Sequence, residues 1–212
     1  RLFDSTRRQV AESLGKIDPG NQNAIDALVQ LLKSEQLDAF TIQLVAESLG
    51  KIGQGNQKAI DALVQLFSSP HLDYSTRSRV AESLGKIGQG NPQAIDALVQ
   101  LLKSEQLDVF TIQQVVESLG KIGQGNQKAI DALVQLLGSP QLDHHTHREV
   151  AESLKKILID KQFAVINTLK AKFNNSQQID EKCYELIWHY AQNLPYPDFY
   201  QAWHQDTLTN TA

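Results

Sequence analysis

Residues 45–67 read VAESLGKIGQGNQKAIDALVQLF, and residues 115–137 read VVESLGKIGQGNQKAIDALVQLL. Working outward, VAESLGKI also stands at 10 and 80 and becomes VAESLKKI at 150, while AIDALVQL stands at 24, 59, 94 and 129. Val10, Val45, Val80, Val115 and Val150 therefore head five copies spaced by 35 residues. A fixed period of this size marks an array of supersecondary units, each unable to bury its apolar face alone. The repeats start near 1, 36, 71, 106 and 141. Residues 36–70 and 106–140 differ at five positions only (39/109, 44/114, 46/116, 67/137, 68/138), fewer than separate neighbouring repeats, so the copied unit is a 70-residue pair.

Each repeat reads as two helices. In the first, Thr6, Val10, Leu14 and Ile17 fall at i, i+4, i+8 and i+11, one stripe at helical period. Asp38, Asp73, Asp108 and Asp143 stand where an N-cap acceptor is wanted, and Glu12 and Lys16 form an i,i+4 pair in the favourable order. Gly53, Gly88 and Gly123 are expected to end the first helix in a left-handed C′ conformation. Asn21, Asn56, Asn91 and Asn126 then cap the second helix, with Pro92 at a first helical position. Its buried stripe is Ile25, Leu28, Val29 and Leu32, and Ser69-Pro70 and Ser139-Pro140 end two of these helices.

The stripes require the repeats to stack. The expected fold is all-α: an α-solenoid of about five two-helix repeats over residues 1–157, a degenerate last repeat helix over 158–175, and a helical aromatic cap over 176–212. The first repeat is as apolar as the internal ones, and Arg1 stands where an initiator Met would be. The reading is an internal piece of a longer polypeptide with more repeats ahead of it.

Composition agrees with a thin, elongated packing: 212 residues, 41% hydrophobic but only 7% aromatic. A net charge of -4 argues against a nucleic-acid partner, which a basic stripe would serve. One Cys cannot staple the fold, so a reducing cytoplasm is the default location. No apolar run approaches the roughly 20 residues of a spanning helix, so no membrane is implied.

Several patterns imitate chemistry. GQGN at 53, 88 and 123 opens a helix, where phosphates are often cradled, but a helix rather than a strand precedes it. The interhelical turn is the preferred reading. His144, His145 and His147 cluster, yet Tyr74 and Val109 occupy the position of His144 in other repeats, so a solvated edge is preferred to a zinc site. No nucleophile has a supporting base, and the carboxylates recur with the repeat. No catalytic residue, metal or cofactor is expected.

Two surfaces are candidates for binding a protein partner. On the second helix, Asp26, Gln30, Asp61, Gln65, Asp96, Gln100, Asp131 and Gln135 recur outward, with Ala27, Ala62, Ala97 and Ala132 between them. In helical-hairpin solenoids this helix usually lines the concave side, so these residues form either a polar groove for an extended partner or an inter-repeat Asp-Gln ladder. The other surface is marked by differences within both duplicated pairs: Asp4/Tyr74 with Ala39/Val109, and Gln9/Arg79 with Leu44/Gln114, continued as His144 and Glu149. These residues trace one variable edge, from drift at exposed sites or from partner recognition.

The period fails after Ile157. Residues 183–204, CYELIWHYAQNLPYPDFYQAWH, hold both Trp, four of the five Tyr and the only Cys, and read as an aromatic block sealing the end of the solenoid. Tyr184, Ile187 and Ala191 fit one helix, Pro195 and Pro197 break it, and Phe199–His204 form a last helical turn.

Residues 1–157 resemble HEAT-like repeats, also seen in phycobilisome-lyase-type proteins, through Thr6-Arg7, Val10-Ala11 and LGKIG. The tail is similar to the C-terminal cysteine- and histidine-containing element of cyanobacterial NACHT-family proteins. Cys183, Tyr184, Trp188, His189, Tyr196, Pro197, Phe199, Tyr200, Ala202, Trp203 and His204 carry that resemblance. It implies the C-terminal sensor arm of a signal-transducing NTPase, partnered by proteins or by upstream domains of its own chain. The alternative is a phycobilisome-lyase-like factor that binds bilin or antenna proteins. A second Cys of the family's pattern is replaced by Tyr190, so Cys183, His189 and His204 are read as packing residues in an aromatic cap rather than metal ligands.

Overall fold

The computed structural model describes residues 4–34, 37–69, 72–103, 107–137, 139 and 142–157, and in the C-terminal part residues 166, 170, 184–185, 187–188, 191–192 and 196–204. These residues are helical or lie in turns, with no strand among them. The first helices of the five repeats are α1 (Asp4–Leu14), α3 (Ala39–Ile52), α5 (Tyr74–Ile87), α7 (Val109–Ile122) and α9 (His144–Ile157). The second helices are α2 (Gln22–Leu32), α4 (Gln57–Phe67), α6 (Pro92–Leu102) and α8 (Gln127–Leu137), and α10 is Tyr196–His204. First helices pack on first helices and second on second, an α-solenoid in which the first-helix layer is the more closely spaced.

The caps follow the sequence. Asp38, Asp73, Asp108 and Asp143 accept from the backbone N–H of Thr41, Thr76, Thr111 and Thr146 at 2.7–3.1 Å. Asn21, Asn56, Asn91 and Asn126 accept from Ala24, Ala59, Ala94 and Ala129 at 3.1–3.2 Å. Each cap satisfies one of the donors orphaned at a helix start. Pro92 takes the first-turn position, where a missing N–H costs nothing.

The turn between the two helices corrects one expectation. Gly53, Gly88 and Gly123 cap the first helices at φ −93°, −93° and −88°, not in the left-handed region. They are glycine for lack of space: a Cβ on Gly53 would lie 2.6 Å from the Leu49 carbonyl and 2.9 Å from the Ala59 Cβ. The left-handed residues are Gly20, Gly55, Gly90 and Gly125, at φ 66–83°. Their N–H groups donate to Ile52, Ile87, Ile122 and Ile157 in the following repeat at 2.7–3.3 Å, so each turn is bonded to the end of the next first helix. In the first repeat Asp18 replaces the crowded glycine, and α1 ends at Leu14, its last turn tightened by Lys16 and Ile17 donating three residues back to Ser13 and Leu14.

Core positions follow the two stripes. Thr41, Val45, Leu49 and Ile52 are buried, as are their equivalents in α5 and α7. In α1 the same stripe is open, with Val10 39% and Ile17 37% exposed. Close spacing of the first helices comes from small residues. Ser48, Ser83, Ser118 and Ser153 are buried against Gly15, Gly50, Gly85 and Gly120 of the preceding repeat. The hydroxyls of Ser48 and Ser118 donate to the Ala11 and Ala81 carbonyls across the joint, both at 2.9 Å.

At the C-terminal end, Ile166 and Ile187 join the apolar core, and Phe199 and Trp203 pack against it with their rings 6.0 Å apart. Other side chains of the aromatic block, Tyr184, Trp188, Tyr196 and Tyr200, are exposed. Pro70 and Pro140, Cys183, His189 and Tyr190, and most of the helix expected over 158–175, lie outside the described residues.

Candidate functional site

The variable edge is built by the helix starts. Asp4, Ala39, Tyr74, Val109 and His144 are each the first residue of α1, α3, α5, α7 and α9, so stacking sets them in one row at the repeat spacing. The first residue of each of these helices lies off the stripe that begins at the Thr41 position and is covered by the neighbouring repeat, which leaves Tyr74 51% and Val109 44% exposed. Beside them stand two residues the sequence reading passed over, Phe40 at 52% and Phe110 at 63% exposed. Their signal was available: each sits one residue before the Thr41 or Thr111 position, about 100° off the buried stripe.

Polar side chains tie this row to the joints beneath it. Arg8 donates to Asp38 at 2.9 Å, and its guanidinium lies 4.9 Å above the centre of the Phe40 ring. At later joints Gln43 donates to Thr76 at 3.0 Å and Gln113 to Thr146 at 3.1 Å. Burial of Asp38 opposes its charge, but the Thr41 hydroxyl and N–H and the Arg8 guanidinium outweigh that and lower its pKa to about 2.

The other variable positions lie elsewhere on the first helices and are engaged within them. Arg79 pairs with Glu82 at 2.6 Å, Gln114 donates to Glu117 at 3.2 Å, and Glu149 faces His145 at 3.6 Å. Leu44 is half-buried and packs against the core, while Gln9 is exposed. The structure thus gathers the first set of variable positions into one row of helix starts, in which Asp4, Ala39, Tyr74 and Val109 are exposed, and leaves the second set elsewhere on the first helices.

On the second-helix face a groove of about 400 Å³ runs between α2 and α4, lined by Asp26, Val29, Gln30, Lys33, Lys58, Asp61, Ala62 and Gln65. It gathers four of the eight recurring Asp and Gln residues. The cross-repeat partners differ from an Asp-Gln ladder. Asp26 accepts from Lys58 at 3.0 Å and Asp96 from Lys128 at 2.8 Å, while Asn56 and Asn91 donate to Gln22 and Gln57, both at 2.9 Å. Within each helix Gln22, Gln57 and Gln127 donate to Asp26, Asp61 and Asp131 at 2.7–2.8 Å. The lysine bond and the Gln22 bond hold the Asp26 carboxyl below its usual pKa. Gln30, Gln65, Gln100 and Gln135 stay exposed, whereas Ala132 is buried near the C-terminal end although its equivalent Ala27 is open.

Among the described residues, no three His, Cys, Asp or Glu side chains stand together to hold a metal ion. His147 Nδ1 lies 3.0 Å from the Asp143 carbonyl, and the His204 ring lies 4.2 Å from that of Tyr200. The His144 side chain, like Cys183 and His189, lies outside the described residues. No described helix is long and apolar enough to cross a membrane.

Comparison with known proteins gives two family matches. Residues 3–74, 42–113 and 70–155 match the model for HEAT repeats, and residues 175–204 match the model described as NACHT C-terminal Cysteine and Histidine-containing. No curated protein matches the chain, and no solved structure does. Four stacked helical pairs and the first helix of a fifth repeat, with a recurring joint, together with family matches that span most of the sequence, place this chain in the HEAT-repeat family, with a C-terminal element of the NACHT-associated type.

Proposed function

We propose that the chain is a non-catalytic protein-interaction scaffold and serves as the C-terminal sensor or regulatory arm of a NACHT-type signal-transducing NTPase. The supporting observation is the row of exposed Phe40, Tyr74, Val109 and Phe110 at successive helix starts. Large apolar side chains in water at a regular spacing are a surface that association would cover. Tyr74 and Val109 stand at a position that varies between near-identical repeats, while the joints beneath them recur. Such variation suits a surface that recognises a partner. The match over residues 175–204 supports the link to a NACHT protein.

The test has two parts. A gene for the parent protein that encodes no phosphate-binding loop would sink the NACHT reading. With that domain in hand, co-precipitation with residues 1–212 should be weakened by Tyr74→Ala and Phe110→Ser with unchanged circular dichroism. Capture equal to the unmodified chain would remove the edge as the binding surface.

A further inference from the structure

The net charge of -4 is confined to the C-terminal element. Residues 176–212 carry Asp180, Glu181, Glu185, Asp198 and Asp206 against Lys182 alone, while residues 1–175 balance at 19 of each sign. The same segment holds both Trp and four of the five Tyr. Acidity and aromatic rings therefore coincide in one element.

On α10 the rings form two adjacent stripes. Phe199 and Trp203 pack against the core. Tyr196 and Tyr200, about 60° further around the helix, stand in water at 76% and 50% exposure with their ring centres 5.9 Å apart. His204 continues this outer stripe, its ring 4.2 Å from that of Tyr200. The same segment carries a second exposed stack, Tyr184 and Trp188, with nearly parallel rings 6.3 Å apart. Rings left in water contribute little to folding, and a cluster of them is a surface that association would cover.

We infer that the outer stripe of α10, centred on Tyr196 and Tyr200, is a docking surface for an arginine-rich segment of a protein partner. The face of a phenol ring is electron-rich and attracts a cation, and the net negative charge of the segment adds attraction of the same sign. That charge repels an anionic partner and offers nothing to a neutral one. Arginine is favoured over lysine because its planar guanidinium lies flat on a ring and is more weakly hydrated. The fold makes one such contact itself, with the Arg8 guanidinium 4.9 Å above the centre of the Phe40 ring. The surface uses none of the residues in the row of helix starts, so it stands apart from the role proposed for that row.

The test titrates the whole chain at low salt, by calorimetry, with a six-residue peptide that alternates arginine and glycine. Binding should show a Kd below about 1 mM, and the same peptide with citrulline for arginine, which keeps the shape and loses the charge, should bind about tenfold more weakly or worse. Tyr196→Leu combined with Tyr200→Leu keeps the apolar bulk and removes the rings; it should weaken binding about fivefold or more with unchanged circular dichroism. If the double variant loses helical signal, Tyr196→Leu alone, at the more exposed ring, provides the comparison and should weaken binding about twofold or more. Phe110→Ser should leave binding unchanged. No binding of the arginine peptide, equal binding of the citrulline peptide, or binding indifferent to the tyrosine substitutions overturns the inference. A loss in Phe110→Ser equal to that in the tyrosine variant overturns it as well, by placing the peptide on the row of helix starts.

Discussion

Ser118 closes on Gly85 across the joint of α7 and α5: a Cβ added to Gly85 would lie 2.6 Å from the serine hydroxyl and 2.9 Å from its Cα. The hydroxyl donates to the Ala81 carbonyl, so this close approach is hydrogen-bonded as well as packed. Gly85→Ala would gain about 1 kcal/mol of helix propensity, yet overpacking costs about 1–3 kcal/mol and the backbone contact allows little relief. The expected outcome is a net loss of about 1 kcal/mol in urea denaturation. Adding Ser118→Gly, which removes the nearest atoms, should make Gly85→Ala less damaging than it is alone. Equal cost in both backgrounds would show that the serine contact does not set the spacing.

The two glycines of the interhelical turn should fail for different reasons. Gly55 is at φ 67° with open space where a Cβ would stand, nothing lying within 4 Å, so Gly55→Ala costs about 1–2 kcal/mol through backbone strain and Gly55→Asn less. Gly53 has an ordinary φ but no room, so Asn there should be worse than Ala. Thermal denaturation of the four variants checks this, and the opposite order at either site would refute the assignment.

Acid should act on the first joint through Asp38. Its folded pKa is depressed to about 2, against about 4 for an unperturbed aspartate. A depressed carboxyl contributes fully above the unfolded value, and its contribution is lost as pH falls from about 4 through about 2. Asp38→Ala also removes the helix cap, which costs about 1 kcal/mol at neutral pH. The difference in stability between the two proteins should shrink on titration from pH 5 to pH 2, and a difference constant with pH would contradict the sign.

Phe110→Ser should change stability by no more than about 0.5 kcal/mol, because the side chain is exposed and lies off the buried stripe. Phe40→Ser should cost slightly more, by about 0.5–1 kcal/mol, through loss of the Arg8 contact. Guanidinium denaturation distinguishes the two, and a large loss at Phe110 would mean that it packs within the fold.

Period and punctuation made the fold legible, because every repeat prints the same caps and stripes. Asp38 and Asn56 could be read as caps from residue type and spacing alone. The role of Gly53 could not: sequence shows that glycine is required but not whether space or conformation requires it, and that depends on Ala59, which the turn brings back against it. The Asp26–Lys58 pair was hidden for a related reason, since residues 32 apart in sequence meet only once the joint sets the relative height of α2 and α4. At the candidate edge, variation pointed to Tyr74 and Val109, but Phe40 and Phe110 are identical in the duplicated pairs. A search for differences passes over them, and only their exposure in the folded chain reveals them.

The acid–lysine contacts on the second-helix face also make the joints unequal. Asp26 meets Lys58 and Asp96 meets Lys128, but the position equivalent to those lysines opposite Asp61 is Gln93, which accepts from Gln57 at 2.6 Å. Dissolved salt screens exposed ion pairs and leaves amide contacts almost untouched. Raising ionic strength therefore weakens the Lys58 and Lys128 contacts and leaves the Gln57–Gln93 contact between α4 and α6 almost unchanged, so the polar part of the second-helix face alternates along the array between salt-sensitive and salt-indifferent contacts.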